Sequence, residues 1–170
     1  SFGGWCSTPA YRPIVLINHP NYKDPSRWKS FHPDGSFKKL LFNKFKTVVG
    51  AAENCLDEQE NNTAPYNYTA KDLIIYKGYQ NKTGQKLISI GLDSKHYHCD
   101  GPIEPAWTPH WFLINKDIYY IGNDMSVIDA VDYDNDCKSE MIFWHSGYNE
   151  DGYILFYNDF IKRVDYYWKY

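Results

Sequence analysis

The sequence predicts a mainly β protein, an antiparallel meander built as a sandwich, an open barrel or propeller-like sheets, with one amphipathic helix near residues 36–49. Three observations carry this. From residue 72 onward, short apolar runs alternate with Asn, Asp and Gly turns. The 170 residues include 16 Tyr, 9 Phe and 6 Trp, a composition too aromatic for disorder and too poor in Ala and Leu for a helical bundle. Only one stretch shows sustained spacings of three and four between apolar residues.

Taken in order, residues 1–35 form a Pro-rich irregular arm, punctuated by Pro9, Pro13, Pro20, Pro25 and Pro33, with room for one short strand at Ile14–Ile17. The helix follows. Phe37, Leu40, Leu41, Phe45, Val48 and Val49 define its apolar face, and Lys38, Lys39, Lys44 and Lys46 fall mostly opposite. Ser36 is its expected N-cap and Gly50 its expected stop. Packing on a sheet is the ordinary use of such a face. Residues 51–70 are polar and turn-forming, and read as a long exposed loop. Strands are then expected at 72–79, 86–92, 111–115, 118–121, 127–131, 140–146, 152–157 and 162–170. Their short connections make successive hairpins. The whole reads as one domain over residues 1–170. In the last strand, alternation puts Tyr166, Trp168 and Tyr170 on one side and Tyr167 on the other.

The formal charge is −3, from 18 Lys+Arg against 21 Asp+Glu, so there is no overall electrostatic footing for nucleic acid. No apolar run reaches the roughly 18 residues of a transmembrane helix. Charge is polarised along the chain: residues 1–50 carry +6 and residues 101–160 carry −9. Such asymmetry favours oriented packing against a partner or binding of cations. Four cysteines, Cys6, Cys55, Cys99 and Cys137, are spread without a C-x-x-C pair. Their spacing argues against a zinc ribbon and for up to two disulfides, in any of three pairings, and so for an oxidising, extracytoplasmic compartment. Three N-x-S/T sequons, at Asn61, Asn67 and Asn81, lie between the second and third cysteines and are candidate glycosylation sites.

The sharpest chemical signal is the run from Asp132 to Glu140, Asp-Tyr-Asp-Asn-Asp-Cys-Lys-Ser-Glu. Carboxylates at Asp132, Asp134 and Asp136 can converge on one Ca²⁺, a cation that takes six to eight oxygens. The Lys138 carbonyl and the Glu140 carboxylate can extend that shell. Strands on either side, and Phe143 where an EF-hand has its last Glu, exclude the EF-hand itself. With the strands that follow, the stretch AVDYDNDCKSEMIFWHSGYNEDGYILFYNDF resembles the FG-GAP or VCBS type of repeat of secreted and cell-surface proteins. The resemblance covers residues 127–170, about a quarter of the chain. It implies a calcium-binding turn between two strands, with Asp132, Asp134, Asp136 and Glu140 as ligands and Lys138 contributing its carbonyl. The sixth loop position is Gly in that family, because the turn there is left-handed; this chain has Cys137.

Other constellations are thinner. His96 and His98 could bind copper or zinc if His110 or His145 approached as a third ligand. No nucleophile elbow, S-x-x-K pair or H-E-x-x-H helix occurs. Asp129 with Glu104 or Glu140 could serve as a carboxylate pair for glycosidic cleavage. The sequence thus points to a non-catalytic extracytoplasmic module, calcium-stabilised, that contacts another protein or a surface glycan. A periplasmic subunit of a bacterial envelope assembly is one version of that role. The alternative is a secreted hydrolase acting on glycans or phosphoesters through the acidic region 100–151.

Overall fold

The computed structural model describes residues 23–55, 63–99 and 105–170. Along the chain these form β1 (Lys29–Ser30), α1 (Ser36–Val49), β2 (Ala52–Cys55), β3 (Thr63–Tyr66), β4 (Leu73–Gln80), β5 (Lys86–Leu92), β6 (His110–Ile114), β7 (Ile118–Asn123), β8 (Met125–Val131), β9 (Glu140–Gly147), β10 (Glu150–Tyr157) and β11 (Lys162–Lys169). The protein is mainly β with antiparallel sheets and one helix, as expected, and the described residues form no closed barrel. One sheet has the order β1-β4-β5-β6-β7, the second β11-β10-β9-β8, and β2 pairs only with β3. The expected strand at Ile14–Ile17 and residues Cys6, Asn61 and Glu104 lie outside the described residues.

Side-chain alternation along β5, β6 and β7 explains why the first sheet is apolar on both faces. Leu87, Trp111, Leu113 and Ile121 point one way, into a layer shared with Met125, Met141, Phe143, Ile154 and Phe156 of the second sheet. Ile88, Ile90, Leu92 and Phe112 point the other way, under Leu41 and Phe45 of α1. The two sheets are also tied by the Trp111 indole N–H, which donates to the Met125 carbonyl at 2.7 Å. Just before the crossing, β7 passes through Gly122 at φ 146°, where a Cβ would stand 2.7 Å from Met125 Cε. Glycine is required at that position.

The helix runs from Ser36 to Val49 and packs against β4 and β7. Gly50 ends it at φ 77°, its N–H donating to the Lys46 carbonyl at 2.9 Å. Two expectations need correcting. Gly35, not Ser36, is the N-cap; the Asp34 carboxylate instead accepts from the Ser36 N–H and hydroxyl. Leu40 is half-exposed, because only Leu41 and Phe45 reach the centre of the sheet.

Residues 51–70 are not one exposed loop. Ala52–Cys55 pairs with Thr63–Tyr66, and Ala52 and Tyr68 are buried. Long-range tethers impose this order on a polar segment. Cys55 is disulfide-bonded to Cys99, 44 residues away. The Asn54 side chain donates to the His96 carbonyl and accepts from the His98 N–H. Tyr66 and Tyr97 flank the buried Trp107.

Candidate functional site

The acidic run closes the hairpin between β8 and β9. Val131 pairs with Glu140, so residues 132–139 bulge from the end of the second sheet. One carboxylate oxygen from each of Asp132, Asp134 and Asp136 lies within 4.8 Å of the others. At a Ca–O distance of about 2.4 Å, two oxygens on opposite sides of one ion stand about 4.8 Å apart, so the three fit a common shell. The loop's own amides hold them there. Asp132 Oδ1 accepts from the Asp136 N–H at 3.0 Å and Oδ2 from the Cys137 N–H at 2.9 Å. Asp134 Oδ1 accepts from Asp136 N–H at 3.2 Å, and Asp136 Oδ1 from Lys138 N–H at 2.8 Å. Asn135 and Cys137 both have positive φ, 63° and 67°. The left-handed backbone at the sixth position is therefore present with a cysteine in it, a conformation that costs a non-glycine residue about 1–2 kcal/mol.

Glu140 sits differently. It is buried at the root of β9, and its Oε2 accepts the Tyr133 N–H at 2.6 Å. Burial pushes its carboxyl above the ordinary range, the Tyr133 hydrogen bond opposes the shift, and the charges of Asp134, Asp136 and Asp132 add to it. Its carboxylate braces the loop from below and is not among the three converging groups. Lys138 presents its side chain away from the acids: Nζ donates to Asn158 Oδ1 at 2.7 Å, in the turn between β10 and β11.

A second brace comes from residues 23–28, a tie without a sequence signal because it spans more than a hundred residues. The Asp132 N–H donates to the Lys23 carbonyl at 2.9 Å. The buried Ser139 hydroxyl donates to Asp24 Oδ1 and accepts the Ser26 N–H at 3.0 Å. The exposed loop thus stands on a buried, hydrogen-bonded base. Such a base restricts the conformations in which its carboxylates repel one another.

The remaining candidates are dispersed. Among the described residues, the Asp132, Asp134 and Asp136 group is the one convergence of three metal-ligating side chains. His96 and His98 are not joined by a third ligand. His110 is buried, its Nε2 2.7 Å from the Pro105 carbonyl and its Nδ1 3.3 Å from the Tyr120 hydroxyl. Burial pushes the His110 imidazole below its ordinary value. His145 faces Glu150 at 3.6 Å. Cys99 is spent in the disulfide with Cys55; Cys137 is an exposed free thiol among the described residues. Asp129 is exposed on β8, where its Oδ1 accepts the Ala130 N–H, whereas Glu140 is buried. Of the sequons, Asn67 is exposed. Asn81 is only 6% exposed and its side-chain amide donates to Gln85 Oε1, while its carbonyl accepts from Thr83 and Gln85.

No protein-family model matches the chain, and no curated protein or solved structure is similar enough to count as a match.

Proposed function

We propose that the protein is a non-catalytic, extracytoplasmic binding or scaffolding module whose β8–β9 turn is stabilised by calcium, and that residues 127–170 are a repeat of the FG-GAP or VCBS type. The observation that carries this reading is the turn itself. Three carboxylates sit within one cation's reach, on a left-handed backbone, between two antiparallel strands. Asp132, Asp134 and Asp136 are the primary ligands, with the Lys138 carbonyl and Glu140 completing the shell as the loop closes on the ion. Calcium is favoured over transition metals because the donors are hard oxygens with neither imidazole nor thiolate among the converging atoms. The Cys55–Cys99 disulfide supports an oxidising compartment. The partner in this reading is another protein or a surface glycan, and membership of a bacterial envelope assembly is compatible with it.

Thermal melting of the whole chain in calcium and then in chelator tests the reading. An ion bound at about a hundred times its Kd stabilises the fold by about 2.7 kcal/mol, or roughly 5–10 °C for a chain of this size. Asp134→Ala is expected to abolish the shift. Asp165→Ala, which removes an ion pair with Arg163 away from the turn, is expected to keep it. Melting that is indifferent to calcium overturns the metal assignment.

A further inference from the structure

A cavity of about 750 Å³ opens between the two sheets, on the side away from α1. That volume lies inside the range of about 300–1,000 Å³ typical of ligand sites. Its lining combines neutral hydrogen-bonding side chains (Thr83, Gln85 and Asn115) and the Tyr119 ring from the first sheet with Phe160 and Arg163 from the second. Asn115 is exposed and Gln85 half-buried at the cleft, and Tyr119 is 52% exposed. The guanidinium of Arg163 is already committed. It donates to Asp165 at 2.6 Å, to the Tyr167 hydroxyl at 3.0 Å and to the Ile121 carbonyl at 3.3 Å. No uncompensated cation therefore remains in the wall to select an anion.

The lip of the cavity is the turn between β10 and β11. Asn158, Asp159 and Phe160 are three consecutive non-glycine residues at positive φ, 51°, 55° and 66°. Local strain of this kind persists only where surrounding contacts hold it, and it gathers at ligand clamps. Here the holding contacts are Lys138 Nζ on Asn158 and the packing of Phe160 against Trp28 and Phe156. The result leaves Ile161 76% exposed at the rim.

From this chemistry we infer that the cleft binds a neutral oligosaccharide. Its amides pair with sugar hydroxyls, and the exposed ring of Tyr119 packs against the apolar side of a pyranose. The inference rests on the binding-module reading and names its partner as a glycan. A phosphorylated or acidic ligand is disfavoured because the one cation is neutralised within the protein, and Asp159 adds a negative charge at the lip.

The test is titration of the full chain with neutral tetrasaccharides (maltotetraose, cellotetraose, chitotetraose and mannotetraose) and with an acidic hyaluronan tetrasaccharide, followed by amide NMR and calorimetry. At least one neutral sugar is expected to bind and to shift resonances at the cleft. Asn115→Ala and Tyr119→Ala, both on exposed side chains or turns, are each expected to weaken it by about tenfold while leaving the melting temperature unchanged. Three results overturn the proposal: no neutral sugar binds, the acidic sugar binds better, or affinity survives both substitutions. Mass spectrometry of the recovered sugar separates the two readings. An intact sugar supports both, whereas a cleaved one keeps the cleft as the glycan site and overturns the non-catalytic role. A calcium-dependent melt with no sugar bound overturns the cleft assignment alone.

Discussion

The four-stranded meanders β4–β7 and β8–β11 share an up-and-down order and a common apolar layer, but their outer faces have different fates. Behind the first lie α1, the β2–β3 pair and the Cys55–Cys99 disulfide, so Ile88, Ile90, Leu92 and Phe112 are fully buried. On the second, the outward row Ile142, Leu155 and Val164 and the row Trp144, Tyr153 and Tyr166 lie side by side by register. Trp144, Tyr153 and Trp168 cover part of this face with one another, ring centroids 5.2–5.6 Å apart, while Tyr166 and Val164 stay 66% and 53% exposed. The comparison teaches that a meander of this kind needs one buried face to fold, and that the second face is free to differ. Here one became a second core; the other kept a cover of its own aromatic rings.

The largest effects fall in the buried layers. Phe112→Ala under the helix and Phe143→Ala between the sheets should each cost about 3–5 kcal/mol in urea unfolding. A much smaller loss for Phe112→Ala would mean that the helix side collapses around the gap, and would break the comparison at its strongest point. Next comes the staple. Removing the disulfide with Cys55→Ser and Cys99→Ser together should cost about 2–4 kcal/mol, and in hydrogen exchange the loss should concentrate in β2, β3 and α1 rather than in β8–β11.

A pH series sharpens the contrast further. His110 belongs to the helix side, and its folded imidazole titrates below the ordinary value because burial disfavours the cation. Above pH of about 6.5 both folded and unfolded forms are neutral and the group is silent. As pH falls below that value the unfolded chain takes up a proton that the fold resists, so stability should drop through that window. His110→Gln should flatten this part of the melting-temperature profile between pH 5 and 7; an unchanged slope would assign it elsewhere.

On the second sheet the expected changes are smaller. Cys137→Gly relieves a left-handed residue and should stabilise the chain by up to about 1 kcal/mol, with a larger calcium response if the ion demands that backbone. Tyr166→Ala should move stability by no more than about 0.5 kcal/mol, measured in the same urea series. A loss comparable with that of Phe112→Ala would show that this outer face is covered in solution, and the two meanders would then be alike.

Much of this was legible in advance, for identifiable reasons. All eight strands from β4 to β11 follow from period-two apolar runs and turn-forming connections, with every boundary matched to within two residues and β5 matched at both ends. The hairpin before β10 turns at Tyr148-Asn149, with Asn149 at φ 56°, so β10 begins at Glu150, two residues before the expected start at 152. The helix was legible in its spacing and in Gly50. The β2–β3 pair was not, because Asn54, Cys55 and Trp107 hold it through partners 42 to 54 residues away. At the acidic turn, the three aspartates could be read from their spacing, and a left-handed sixth position is what the family resemblance implied. The brace from Asp24 through Ser139, and the reach of Lys138 to Asn158, could not.

The sequence by itself determined what is periodic and local: the antiparallel meander, the amphipathic helix and the Asp132–Asp136 turn, since each depends on neighbours within a few residues. The tertiary structure decided which cysteines pair, which face of each meander is covered, and where a cleft opens between Asn115, Tyr119 and the strained lip at Asn158–Phe160. Those features depend on contacts between distant segments. Their formation reflects the summed burial of both sheets, and no single stretch of sequence carries that sum.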